Sequence, residues 1–207
     1  MKKAKKNIST HLKPEHNQLN MGCGFKKLLD YWNVDAWKDC NPDQVLDFAQ
    51  TPWPYEDNFF IKINADSILE HLGQTPQKFL EIIKEMYRVS APDCIWNIIA
   101  PHHRCDNFYN DFTHVRVITE NTFRMFDQKF NENTRKRKLS HSLHGIQNAI
   151  DLELVSANYD ITSVFQTMLN EGMLGPKQLN IDLNTKSNVA ESIKLQIKVH
   201  KPCRIKE

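Results

Sequence analysis

Strand-like and helix-like stretches alternate between residues 18 and 101, and this alternation constrains the fold more than any other feature of the sequence. Short apolar stretches rich in β-forming residues occupy positions 18–21, 33–36, 45–48, 59–65 and 94–100. The last of these, Cys94–Ala100, is apolar on both faces, as expected of a central strand in a parallel sheet. Strands separated by helices predict an α/β sheet with right-handed crossovers.

Three helices are predicted between these strands. The clearest one starts at Thr75-Pro76, with Thr75 as the N-cap, and shows an apolar face as far as Ser90. Shorter helices are predicted over Phe25–Trp32 and Ser67–Leu72. Beyond Pro101 the pattern weakens, and it predicts a long loop at 102–114, a short helix at 120–126, strands at 152–157 and 193–200, and a helix plus loop at 162–187.

The composition is that of a folded protein with one domain. The chain has 207 residues, of which 40% are hydrophobic and 25% charged. Lys and Arg number 27 and Asp and Glu 25, so the formal net charge is only +2. This balance excludes a general polyelectrolyte binder of nucleic acid. The polar residues 1–16 are expected to form a flexible basic arm, followed by a single domain over 17–207.

The sequence predicts a cytoplasmic protein that does not enter a membrane. Its longest apolar run, Cys94–Pro101, is far shorter than the about 20 residues that cross a bilayer. The basic start MKKAKK is not followed by the apolar region of a secretory signal. Five cysteines without a C-x-x-C pair predict reduced thiols.

A glycine-containing turn, Gly22-Cys23-Gly24, lies between the first strand and the next predicted helix. Such a turn lets a ligand approach bare backbone, although an ordinary strand-to-helix turn would look the same. Asp35 ends the next strand, where a carboxylate can accept both hydroxyls of a ribose. Lys27 occupies the third glycine position of the dinucleotide fingerprint, and the acid comes early. A nucleoside without a pyrophosphate is therefore favoured over NAD.

The chain resembles the class I S-adenosylmethionine-dependent methyltransferases. It is similar to a small bacterial subgroup through six segments in order, which together span roughly residues 18–126. These segments are Leu19-Asn20-Met21-Gly22-Cys23-Gly24, Asn33-Val34-Asp35, Pro52-Trp53-Pro54 with Asp57-Asn58-Phe59-Phe60, Leu69-Glu70-His71-Leu72, Glu85-Met86-Tyr87-Arg88-Val89 and Asp111-Phe112-Thr113-His114-Val115-Arg116.

The resemblance implies a Rossmann-like sandwich with a mostly parallel sheet and an antiparallel C-terminal strand. It implies a cofactor-binding half at 17–101, an acceptor-shaping half at 102–207, and S-adenosylmethionine as the cofactor. Asn20, Gly22, Cys23 and Gly24 would contact its methionine part, Asp35 its ribose, Asp47 and Phe48 its adenine, and Asn64, Ala65 and Asp66 its methionine part and the acceptor. Two departures are Asn20, where the family often has an acid, and the short segment between Gly24 and Val34.

Histidines and one aspartate are the candidate catalytic residues. His71 follows the fourth strand and His102 the fifth, and ligands bind at the carboxyl ends of such strands. Asp111 and His114 could form a pair in which the carboxylate orients the imidazole. Each of these residues could instead have a packing or loop-stabilising role. Histidine and cysteine spacing at 102–114 fits no established zinc pattern, so no metal is predicted.

The leading hypothesis is a methyltransferase that acts on an oxygen or nitrogen of a small or medium acceptor, such as a metabolite, sugar or peptide. An RNA-modifying enzyme is the second hypothesis, based on the MKKAKK start and the basic run Arg135–Lys138. A non-catalytic nucleotide-binding or interaction module of the same fold is the third. The sequence does not indicate the acceptor or the oligomeric state.

Overall fold

A seven-stranded sheet forms the centre of the protein, as seen in a computed structural model that describes residues 13–205. The strands are β1 Gln18–Met21, β2 Trp32–Asp35, β3 Gln44–Val45, β4 Phe60–Asp66, β5 Ser90–Pro101, β6 Leu152–Ile161 and β7 Ala190–Val199. Their order is β3-β2-β1-β4-β5-β7-β6. The pairs from β3 to β5 are parallel, and β7 is antiparallel to both of its neighbours. The predicted fold class, a mostly parallel sheet with an antiparallel C-terminal strand, is confirmed.

The helices are unevenly distributed along the chain. They are α1 Pro76–Val89, α2 Asp106–Asn110, α3 Glu120–Arg124, α4 Gln128–Lys136, α5 His144–Gln147, α6 Ser163–Asn170 and α7 Pro176–Thr185. Helix α1 begins as predicted, because the Thr75 hydroxyl accepts a hydrogen bond from the backbone N–H of Lys78 at 3.2 Å. Its apolar face is buried against the sheet.

The predicted helix over Phe25–Trp32 is wrong, since residues 22–31 connect β1 to β2 through turns and Trp32 already belongs to β2. Phe25 is 74% exposed and Leu29 88% exposed, so the apolar spacing that suggested a helix has no buried face behind it. The predicted helix over Ser67–Leu72 shortens to a 3-10 turn at Leu69–His71. In the described chain the first α-helix is therefore α1.

Buried asparagines hold the connection between β1 and β2 in place of a helix. The Asn20 amide donates to the Lys26 carbonyl at 3.0 Å and to Asn33 Oδ1 at 2.9 Å. The Asn33 amide donates to the carbonyls of Leu28 and Tyr31, and its oxygen accepts the N–H of Leu28 at 2.8 Å. Side-chain hydrogen bonds thus satisfy backbone groups that a helix would satisfy internally.

The C-terminal half contains more regular structure than the sequence predicted. The region 102–114, predicted as a loop, includes the short helix α2, and both β6 and β7 are longer than expected. No helix among residues 13–205 is both long and apolar enough to cross a membrane. Residues 1–12 of the predicted arm lie outside the described residues, while Pro14, near its other end, is buried.

Candidate functional site

The glycine turn follows β1 at the carboxyl edge of the parallel strands. Gly22 has φ +66°, and a Cβ built there would lie 2.8 Å from the Ile68 side chain, so this position requires glycine. Gly24 has φ +47°, and the space in front of it is open. The backbone N–H of Gly24 donates to Asp35 Oδ2 at 2.8 Å. The carboxylate of Asp35 and the glycine turn, which the sequence predicted to lie together, are thus in direct contact through Gly24.

Two exposed aromatic side chains lie beside this carboxylate. Asp35 Oδ1 accepts the backbone N–H of Trp37 at 2.8 Å, which fixes the orientation of the carboxylate. The Trp37 ring meets the Phe25 ring edge to face, with 5.0 Å between the centroids. Phe25 is 74% and Trp37 51% exposed. The sequence analysis did not identify this pair. The position of Trp37, two residues after the predicted ribose-binding Asp35, was the signal that could have done so.

Two thiols lie behind the carboxylate. Cys23, Asp35 and Cys40 each place one possible ligand atom within 4.8 Å of those of the other two. Both cysteines are buried, and burial, together with Cys40 and Asp35, raises the pKa of Cys23 to about 12. Cys40 donates to the Trp37 carbonyl at 2.9 Å. Cys23 is therefore a protonated thiol that packs beneath the turn.

The other predicted cofactor residues differ in what their side chains do. The Asn64 side-chain amide donates a hydrogen bond to Asn20 Oδ1 at 3.0 Å. Both side chains therefore belong to the hydrogen-bond network that stabilises residues 22–31. Ala65 is fully buried. Asp66, at the end of β4, is half-buried, and its carboxylate lies 3.4 Å from Lys26 Nζ.

Asp47 and Phe48, the predicted adenine contacts, have structural partners. Asp47 accepts the backbone N–H of Ala49 at 2.9 Å and so shapes a turn. Phe48 is buried and packs edge to face on Trp53, with 4.9 Å between centroids. In this structure the exposed aromatic surface near Asp35 comes from Phe25 and Trp37.

A second polar cluster forms where the 3-10 turn after β4 meets the segment after α2. The Glu70 carbonyl accepts the N–H groups of Val115 and Arg116, which joins the two segments. The rings of His71 and His114 then lie 4.6 Å apart. Asp111 Oδ2 lies 4.0 Å from His114 Nε2. The structure thus brings together three of the four predicted catalytic residues, since His71 lies beside Asp111 and His114 although they are at least 40 positions apart in sequence.

The charge states in this cluster follow from its hydrogen bonds and burial. Hydrogen bonds from the Thr113 hydroxyl and backbone hold the pKa of Asp111 below its ordinary value. Burial, aided by His114, lowers the pKa of His71. Burial raises the pKa of Glu70 to about 7, and both of its carboxylate oxygens are buried without a hydrogen-bond partner. Glu70 was not among the predicted site residues, although it lies inside the Leu69–Leu72 segment.

The fourth predicted catalytic residue, His102, lies in a different environment. Its ring contacts His103 and Tyr159, and its backbone N–H donates to the Glu191 carbonyl at 2.9 Å. With Glu120, these residues border a cavity of about 340 Å³. Burial, with His103 and Arg104 nearby, lowers the pKa of His102 to about 4.

Comparison with known proteins identifies the fold. No protein-family model and no curated protein sequence matches the chain. The structure is similar to a S-adenosylmethionine-dependent methyltransferase from Archaeoglobus fulgidus, with a TM-score of 0.52, 15% identity, and coverage of 88% of this chain and 86% of that one. It is similar to the YcgJ protein from Bacillus subtilis, with a TM-score of 0.51, 12% identity, and coverage of 93% and 94%.

A third similar structure is the N-methyltransferase NodS from Bradyrhizobium japonicum, with a TM-score of 0.50, 12% identity, and coverage of 90% of this chain and 86% of that one. At these identities the likeness shows the fold alone, which is the Rossmann-like methyltransferase fold.

Proposed function

We propose that the protein is a methyltransferase that uses S-adenosylmethionine to methylate an oxygen or nitrogen of a small or medium acceptor, such as a metabolite, sugar or peptide. The observation that carries this proposal is the contact between Asp35 and Gly24 at the carboxyl edge of the sheet, with open space in front of Gly24. In α/β sheets, ligands bind at this edge. The fold and the resemblance of the motifs support the same assignment.

The residues present fit an adenosine derivative at this edge. Each carboxylate oxygen of Asp35 accepts one hydrogen bond from a backbone N–H group. Each oxygen therefore keeps a lone pair that can accept a hydrogen bond from a ribose hydroxyl. Phe25 and Trp37 offer exposed apolar surface to a base. Gly24 offers bare backbone with open space in front of it. When bound, S-adenosylmethionine supplies an electrophilic methyl group on a sulfonium centre.

The cluster of His71, His114 and Asp111 is the proposed place for the acceptor. His71 lies in the 3-10 turn shortly after β4, and Glu70 in the same turn is close enough to Asp66 for that carboxylate to raise its pKa further. We infer that these polar groups hold and orient the acceptor's nucleophile, since alignment is the main contribution a protein makes to this displacement. His102, in its separate cavity, has less support for this role.

The RNA-modifying alternative gains little support from the part of the basic run Arg135–Lys138 that lies on α4. Arg135 and Lys136 both form ion pairs with Glu132, on the same helix. Cations that form ion pairs with a carboxylate on the same helix attract phosphate groups only weakly.

Isothermal titration with S-adenosylhomocysteine tests the cofactor assignment. We expect a single site, and a loss of affinity of about 100-fold or more in Asp35→Ala, since a hydrogen bond to a charged group contributes about 1.5–3 kcal/mol and two are lost. Asp35→Asn keeps the shape of the side chain and should weaken binding as well. Asp39→Ala, which changes an exposed carboxylate four residues on, is the matched control and should leave affinity unchanged. Full affinity in both Asp35 variants would refute the assignment.

A further inference from the structure

We propose that Glu70, His71 and His114 form a binding site for one divalent first-row transition-metal ion of the zinc type. The carboxylate and the two imidazoles each place one possible ligand atom within 4.8 Å of those of the other two. Ligand atoms of one tetrahedral ion, at bond lengths of about 2.0–2.2 Å, lie about 3.4 Å apart. Side-chain rotations that move each ligand atom inwards by up to about 0.8 Å would therefore bring all three to a common ion.

The hydrogen bond of His114 fixes which ring nitrogen is free to bind an ion. Its Nδ1 lies 2.7 Å from the carbonyl oxygen of Phe108. A carbonyl only accepts, so Nδ1 carries the hydrogen, and the lone pair of the neutral ring is on Nε2. Histidines that ligate metals almost always donate their other ring N–H to a group of this kind.

His71 is oriented in the same way through a chain of two hydrogen bonds. The Thr113 hydroxyl donates its one hydrogen to Asp111 Oδ1 at 2.6 Å. Its oxygen must therefore accept from His71 Nδ1, which lies 2.8 Å away. The lone pair of His71 is thus also on Nε2, so both imidazoles present the same ring nitrogen as a potential ligand.

Glu70 provides an independent reason to place a cation here. Its side chain is 0% exposed, and neither carboxylate oxygen has a hydrogen-bond partner. Among residues 13–205 no lysine or arginine forms an ion pair with it, and its titratable neighbours are the acidic Asp66 and Asp111 and the proposed ligand His114. A buried carboxylate without a partner is costly. A divalent cation would supply the missing charge and bind both oxygens.

The ligand set defines the class of ion. Two imidazoles and one carboxylate without a thiolate suit zinc and its neighbours in the first transition row more than magnesium or calcium, which prefer all-oxygen sites. Three protein ligands leave at least one coordination position for water or a substrate oxygen. If the proposed function holds, that position would bind a hydroxyl acceptor beside the cofactor site, a consequence that rests on the proposed function, whereas metal binding itself does not.

The test is a titration of the full chain, after treatment with a chelator, with Zn²⁺ by calorimetry and with Co²⁺ by absorption spectroscopy. We expect one equivalent of either ion per chain, with Co²⁺ d–d bands and no thiolate-to-cobalt charge-transfer band. Glu70→Gln, which preserves the side-chain shape, and His114→Ala should each lower affinity by about 100-fold or more. His141→Ala, at an exposed histidine, is the matched control and should not alter it.

Two results would overturn the proposal. One is the absence of saturable binding to the folded wild-type chain, with folding checked by circular dichroism. The other is binding that survives in Glu70→Gln and His114→Ala but disappears in a Cys23→Ser, Cys40→Ser double variant, which would assign the ion to the thiol cluster. Titration with S-adenosylhomocysteine in the absence of metal separates the two proposals, because its failure would remove the methyltransferase assignment and leave the metal result intact.

Discussion

At the scale of single residues, the two glycines of the turn have different physical roles. Both have positive φ, which costs an alanine roughly 1–2 kcal/mol. Only at Gly22 would a Cβ also collide with a neighbour, because Ile68 lies 2.8 Å away. Gly24 faces open space. Gly22 is therefore required by packing, and Gly24 by the backbone conformation and by the room it leaves for a ligand.

This difference predicts that Gly22→Ala lowers the free energy of unfolding by more than Gly24→Ala does, by about 1 kcal/mol or more, because only the first adds overpacking to the strain in φ. Urea denaturation of the two variants and the wild type measures it. In the same variants, Gly24→Ala should weaken S-adenosylhomocysteine binding despite its smaller effect on stability. Equal destabilisation by both substitutions would contradict this account.

The sequence was sufficient to predict the contact between Asp35 and the glycine turn, because adjacent parallel strands end at the same edge of a sheet. It was not sufficient to identify Glu70. Whether a carboxylate is buried without a partner depends on the segment that covers it, and here residues 111–116 come from more than 40 positions away. The hydrogen bond between Asn64 and Asn20, which are 44 positions apart, was hidden for the same reason.

At the scale of elements, two of the segments named in the sequence analysis, Pro52-Trp53-Pro54 and Glu85–Val89, bind each other and stabilise the fold. Arg88 in α1 donates to the carbonyls of Trp53 and Tyr55 and forms ion pairs with Glu85 and Asp57. Glu85 in turn accepts the backbone N–H of Trp53 at 2.7 Å. These hydrogen bonds and ion pairs attach the chain between β3 and β4 to helix α1.

The connection between β1 and β2 is where local sequence patterns misled the prediction. Apolar residues at helical spacing predict a helix only if one face can be buried, and this segment instead leaves Phe25 and Leu29 exposed. Its order comes from Asn33, whose side chain bonds to Leu28, Tyr31, Asp43 and Asn20. Such an arrangement depends on tertiary contacts, which amphipathic periodicity does not encode.

We predict that Asn33→Ala lowers the free energy of unfolding by about 2–4 kcal/mol, because it leaves several buried donors and acceptors without partners. It should also weaken cofactor binding, since the segment it holds carries Phe25 and the glycine turn. Denaturant unfolding and titration with S-adenosylhomocysteine provide the two measurements. Asn184→Ala on α7, an exposed position whose amide donates only to the Asn180 carbonyl, is the control and should change neither.

At the scale of the whole molecule, charged groups buried on folding set the response to pH. Asp151 is buried, yet hydrogen bonds from Arg204 and from the Gln128 backbone outweigh the effect of burial and hold its pKa below the ordinary value. Its contribution to stability is present at neutral pH and is lost only as the pH falls below about 4. His102 affects stability at a higher pH than Asp151, because an imidazole has a higher pKa than a carboxyl group. His102 is 4% exposed and its Nδ1 has no hydrogen-bond partner.

The direction in which His102 changes stability with pH follows from its pKa, which is about 4 in the folded state and 6.5 in the unfolded state. Between these values the unfolded chain binds a proton that the folded chain does not, so stability falls as the pH drops from about 6.5 to 4. The loss attributable to this residue is about 2–3 kcal/mol. We therefore predict that His102→Gln loses that much less stability than the wild type between pH 7 and pH 4, measured by urea denaturation. His141→Gln, at an exposed histidine, is the control and should follow the wild-type curve. Parallel curves for His102→Gln and the wild type would show that folding does not lower the pKa of His102.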